Sequence, residues 1–127
     1  MGKSAGSTEL REFLDGLCDL TQFIGLGAVG INTRGSTGDT PLKVAVVRQN
    51  LPIVAELLKL GVDPNTPGED DCTPLHHAVG GEASIEIVRL LLEHGASPHL
   101  KDRYGHSSID YARMSDRHDM LQRFGVE

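Results

Sequence analysis

The chain has 127 residues, 39 % of them hydrophobic and 24 % charged, the balance of one soluble globular domain and too short for an eight-stranded α/β barrel or a two-domain enzyme. Twelve basic against eighteen acidic side chains leave a net charge of −6, which argues against neutralising phosphates and so against a nucleic-acid partner. With no Trp, 4 % aromatic residues and only two cysteines, there is no stacking platform and no disulfide scaffold, and Cys18 and Cys72 suit a reducing, cytoplasmic compartment.

Residues 1–7 are small and polar around Lys3 and read as a flexible N-terminal tail, without the apolar stretch of a secretory signal or membrane anchor. Thr8-Glu9-Leu10 then opens a helix, and Leu20, Phe23, Ile24 and Leu26 form a following apolar set. Gly25-Leu26-Gly27-Ala28-Val29-Gly30 spells G-x-G-x-x-G, but a helical set precedes it and no helix opens directly after it, the reverse of a dinucleotide site. These glycines are expected to stop a helix; a nucleotide-dependent enzyme is the remote alternative.

From Thr40 onward the chain repeats itself. Thr40-Pro41-Leu42 recurs as Thr73-Pro74-Leu75, 33 residues on. Ile53-Val54 with Leu57-Leu58 recurs as Ile87-Val88 with Leu91-Leu92, and Gly61 with Pro64 as Gly95 with Pro98, now 34 apart. Ser107-Ser108-Ile109 with Ala112 takes up the pattern again, followed by Met120-Leu121 and Phe124. In each unit a Thr or Ser caps a short helix, with Pro at its first position in the first two units. A second apolar stripe follows and ends at Gly61 or Gly95, suited to the left-handed position past a helix end. Asp63-Pro64-Asn65-Thr66-Pro67-Gly68 and Ser97-Pro98-His99 supply turns. Leu57, Leu58, Leu91 and Leu92 are expected to form the core between units, Glu9, Arg11, Glu12 and Asp15 the polar outer side of the first one, and Asp116-Arg117-His118-Asp119 that of the last.

Thr73-Pro74-Leu75-His76-His77-Ala78, the period and the glycine stops together resemble the ankyrin repeat. The resemblance covers residues 8–124, with Lys43 in place of the family's His and Ser107, Ser108 and Asp110 departing in the last unit. It implies an all-α ankyrin-repeat solenoid of stacked helix-turn-helix units with projecting loops, about 3.5 to 4 repeats including degenerate end caps. The domain runs over 8–127: a degenerate N-terminal capping repeat at 8–34, repeats at 35–67 and 68–101, and a C-terminal capping repeat at 102–127. The family's use of the motif His implies that His76 braces neighbouring loops.

Chemistry finds little support. Adjacent His76 and His77 point to different faces, and with His94 and His99 they lack a metal-ligand spacing, so neither metal nor cofactor is expected. Cys72 or Ser107 as a nucleophile has no partnered base, and Ser107 fills a capping slot, so no enzyme is expected. What remains is recognition of another protein by loop tips and first helices. The expected contact residues are Ser36, Thr37, Asp39, Arg48, Glu69, Asp70, Cys72, His77, Arg103, Tyr104, His106 and Tyr111, with Val47 and Met114 adding to the same face. Occupying a partner, as an inhibitor or immunity-type protein would, is the favoured role, and the acidic charge suits a basic partner met by a monomer. The competing reading is a constitutive subunit or adaptor of a larger complex, which should expose a broad apolar patch and self-associate.

Overall fold

In the computed structural model the residues described are 8–17, 20, 29–81, 84–115 and 117–124. They contain seven α-helices and no strand: α1 (Thr8–Leu17), α2 (Pro41–Val47), α3 (Leu51–Lys59), α4 (Pro74–Gly80), α5 (Ile85–Glu93), α6 (Ser108–Met114) and α7 (His118–Arg123). The repeat of the sequence is a repeat of the structure.

Each first helix starts where its cap dictates. The extended backbone of Thr40, Thr73 and Ser107 turns a hydroxyl onto the third N–H ahead, that of Lys43, His76 and Asp110. This satisfies one of the donors that a helix start leaves unpaired, and Pro41 and Pro74 occupy a first position where no donor is needed. Asn50 and Ser84 cap α3 and α5 in the same way, through the N–H groups of Ile53 and Ile87. The helix ends are equally regular. Gly61 and Gly95, at φ 94° and 96°, donate to the carbonyls of Leu58 and Leu92, and the next N–H groups, of Val62 and Ala96, return to Leu57 and Leu91. That pair of bonds is the Schellman cap, which needs a left-handed residue. The end of α2 makes the same pair with Gln49, at φ 57°.

The helices pack in two layers. α2, α4 and α6 stack side by side in the first; α3, α5 and α7 stack in the second, each joined to its own first helix. The chief packing partner of α1 is α3, in the second layer, and Glu9, Arg11, Glu12 and Asp15 are all exposed on it. Between the layers lies an aliphatic core in which Leu42, Leu75, Leu57, Ile87 and Leu91 are fully buried. Small residues let the first helices approach, since Ala45, Ala78 and Ala112 have no exposed surface at all. Leu92 departs from expectation: it is only partly buried. The helix after its unit, α7, has six residues, against nine in α5.

Leu91 lies at the centre of this arrangement. Leu91→Ala should cost about 2–5 kcal/mol, the usual range for emptying a buried leucine site, measured by urea or thermal unfolding; an unchanged midpoint would contradict its place in the core.

Candidate functional site

Three loops precede the three first helices and share one backbone design. Gly35, Gly68 and Asp102 each donate an N–H to the carbonyl four residues on, at 2.8, 2.9 and 2.9 Å, and each accepts from the N–H of Gly38, Asp71 and Gly105 at 2.9, 3.0 and 3.0 Å. A tight tip results, presented beside the first-helix layer.

Each tip is tied to the next. Between the first two loops Asp39, 1 % exposed, accepts from the Glu69 N–H at 3.1 Å and the Lys43 ammonium at 3.1 Å, with Thr37 donating to it as well. Gly68 is obligatory at this seam, because a Cβ there would lie 2.1 Å from Asp39 Oδ1. Between the second and third loops the carboxylate comes from the other side. Asp102, 6 % exposed, accepts the N–H groups of Tyr104 and His106 at 2.9 and 3.0 Å and the Tyr111 hydroxyl, while the Cys72 thiol approaches it at 3.9 Å. The Arg103 N–H donates to the Asp70 carbonyl at 2.8 Å, and its guanidinium pairs with the Asp70 carboxylate at 3.1 Å. Farther along, Asn65 clasps the next unit, donating to the Gly95 carbonyl at 3.0 Å and accepting from the Ser97 N–H at 2.8 Å.

His76 bridges the same seam from the helix. Its Nε2 donates to the His106 carbonyl at 3.0 Å, so Nδ1 is the acceptor for the Thr73 N–H at 2.9 Å. One ring thus closes its own capping box and braces the next loop, the role the resemblance implied. His76 and His106 both meet the Tyr111 ring edge-on, with centroids 5.8 and 5.4 Å away.

These contacts set the electrostatics. Burial alone would raise the Asp39 and Asp102 carboxyls, but donors outweigh it: the Glu69 N–H and Lys43 for the first, Tyr111 and two N–H groups for the second. Both acids are held below the ordinary range. Tyr111 moves up in exchange, mainly by donating to Asp102. Burial and the surrounding carboxylates push the Cys72 thiol up to about 11, which keeps it protonated and unlike an activated nucleophile. Burial and then Lys43 lower the His77 ring. Among the described residues no three His, Cys, Asp or Glu side chains gather as a metal site would require, and no helix is long and apolar enough to cross a membrane.

The expected contact residues divide accordingly. Ser36, Thr37, Arg48, Glu69, Arg103 and Tyr104 are exposed, Tyr104 at 63 %. Asp70, Cys72, His77, His106 and Tyr111 are half-buried. Asp39 is turned inward, because its carboxylate is consumed by the seam. Val47 and Met114 are exposed on the first-layer face at 55 % and 60 %. Cys18 and the glycine string lie outside the described residues except for Val29 and Gly30. Asp102 and Asn65, which hold the tips in place, were not among the expected site residues. The Asp102-Arg103-Tyr104-Gly105 sequence carried the signal for the first, an aspartate opening a tight turn.

The sequence matches the family described as Ankyrin repeats (3 copies) over residues 10–102 and 42–123, and the chain belongs to the ankyrin-repeat family. The ankyrin repeat protein YahD of Escherichia coli (strain K12) is 43 % identical over 84 residues, 62 % of this chain and 40 % of that protein. An ankyrin repeat-containing protein of Treponema pallidum (strain Nichols) is 36 % identical over 77 residues, 61 % of this chain and 26 % of its own length. The mouse ankyrin repeat and SOCS box protein 16 is 36 % identical over 87 residues, 62 % of this chain and 19 % of its own. The chain therefore spans less than half the length of these relatives.

Two outcomes test the seam. Tyr111→Phe should cost about 1.5–3 kcal/mol, the range for a hydrogen bond to a charged group, and speed amide exchange in α6; unchanged unfolding and exchange would show that the Asp102 contact carries no load. Stability should also depend on pH with a defined sign. His77 is harder to protonate in the fold, so the stability its neutral ring contributes is complete above about pH 6.5 and is lost as pH falls below it. The lowered carboxyls of Asp39 and Asp102 contribute stability that is present above about pH 3.9 and lost as pH falls toward their folded values. Thermal midpoints between pH 8 and 3 should fall in those two windows, and His77→Gln should shrink the decline between pH 7 and 5.

Proposed function

We propose that this chain is a non-enzymatic protein-binding module that occupies a partner protein with its loop tips and first-helix face, and so inhibits or sequesters it. The observation carrying this reading is the contrast between a braced backbone and exposed contact side chains. Asp39, Asp102, His76 and Asn65 spend their polar atoms fixing the loops to one another, while Tyr104 and Glu69 project from those loops, and Val47 and Met114 from the helices beside them. A preorganised surface loses less conformational entropy on binding, and tyrosine and arginine are the residue types that most often dominate interface energy.

The partner we infer is basic. Eighteen acidic residues against twelve basic ones give the chain a net −6, and exposed Glu69 and Asp71 stand at one tip, an arrangement that speeds encounter with a cationic surface. A monomer in a reducing, cytoplasmic setting is the form we expect.

Affinity capture from native lysate, followed by titration of the captured protein, tests this. One stoichiometric partner should bind, more weakly as salt rises, and replacing both Glu69 and Tyr104 by Ala should weaken it at least tenfold without altering the circular dichroism spectrum. The partner's own activity should fall in proportion to occupancy. Equal binding by the double variant would place the contact elsewhere, and an unaffected activity would remove the inhibitory role.

A further inference from the structure

A cleft of about 330 Å³ opens beside the first-layer helices, lined by Val46 and Val47 of α2, Cys72, His77, Gly80, Gly81 and Tyr111. His76 also borders it, with both ring nitrogens already engaged by Thr73 and His106. Part of the opening follows from the repeat register. Gly80 ends α4 as Val47 ends α2 and Met114 ends α6, and it is the one of the three without a side chain. A Cβ added to it would meet nothing within 4 Å. The volume lies at the lower end of the range for binding sites, about 300–1,000 Å³, which fits one large side chain.

The charge of the cleft selects its occupant. Among the described residues no Asp, Glu, Lys or Arg lines it. Lys43, on α2, is held by Asp39 at 3.1 Å, and Asp102, which the Cys72 thiol approaches, has its oxygens taken by Tyr111 and two N–H groups. A charged side chain entering here would give up water and find no opposite charge in the lining to replace it. Complementarity therefore calls for a neutral group. The lining residues are aliphatic, sulfur-bearing and aromatic, the types against which a ring packs well. This chain is a poor source of such a ring. It has no Trp and 4 % aromatic residues, and Tyr104 is the one strongly exposed aromatic side chain among the described residues, so a second copy has little to insert.

Resting on the binding role proposed above, we infer that the cleft receives one uncharged aromatic side chain of the protein partner, which covers Gly80 and packs beside Val47 and Tyr111. The partner thereby brings the ring that this aromatic-poor surface lacks, and a buried aromatic anchor in a pocket is the commonest source of interface energy.

Gly80→Leu separates this role from a structural one. The position is helical and spacious, and leucine is the better helix former, so the variant should fold with an equal or higher thermal midpoint while its side chain occupies the cleft. The probe is a phage-displayed library of random twelve-residue peptides selected on the whole chain, each enriched peptide then being synthesised and titrated. Enriched peptides should share a phenylalanine, tyrosine or tryptophan whose replacement by alanine weakens binding at least tenfold. Their binding should move the methyl resonances of Val46 and Val47, and Gly80→Leu should weaken it at least tenfold. Peptides anchored by a charged or aliphatic residue, peptides bound equally well by Gly80→Leu, methyl resonances that stay in place, or a selection yielding no binder would each overturn the inference. A dimer of the free chain that Gly80→Leu and Tyr104→Ala each dissociate would overturn it too, by making a second copy the occupant. Binding of the captured partner that survives Gly80→Leu but is lost on replacing Glu69 and Tyr104 overturns the cleft alone and leaves the recognition role standing.

Discussion

The loops of this fold depend on hydrogen bonds that join one unit to the unit after it. Asp39 to Glu69, Asn65 to Gly95, Cys72 to Asp102 and His76 to His106 all link residues 30 apart. A pair of short helices cannot bury both of its faces, so the aliphatic layer and the polar seams can form only together. The seams serve a second purpose. They satisfy the backbone of loops that project from the core and would otherwise depend on water for order.

That division explains why a surface with so little aromatic character can still be a recognition surface. Asp39, Asp102 and His76, which hold the tips, are buried, and several of the side chains that remain outside belong to residues with large contact area or full charge. Rigid backbone and adaptable side chains are thereby assigned to different residues. The first-layer face adds exposed Val47 and Met114, with a cleft lined by Val47, Gly80 and Tyr111 beside them.

Much of the scaffold is legible in the sequence, because its signals are local. Thr40-Pro41, Thr73-Pro74 and Ser107 mark helix starts through bonds that span three residues, and Gly61 and Gly95 mark ends through their own φ angles. The end of α2 was less visible, since the same left-handed cap is held there by Gln49, a residue type that does not advertise it. The site was harder to read for a physical reason. Whether an acid in a loop projects or turns inward is decided largely by donors on the neighbouring unit: Asp39 sits in a tip sequence, but the Glu69 N–H of the next unit, together with its own unit's Lys43, turns it inward. Asp102 was overlooked for the same reason, its partners including Cys72 in the unit before and Tyr111 in the helix after.

The two loop seams also carry their carboxylate on opposite sides. Asp39 reaches forward to a loop that opens with Gly68, whereas Cys72 meets a loop that opens with Asp102. Each seam therefore contains one buried acid and one small neighbour, and the units are not interchangeable parts. Joining the first unit directly to the third would set Asp39 against Asp102, two buried negative charges sharing one space. Duplicating the second would set Cys72 against Gly68, with no buried acid to bind the loops. A lineage that lengthens or shortens this array by recombination must alter both halves of a seam at once, so the order of the units is written into their joints.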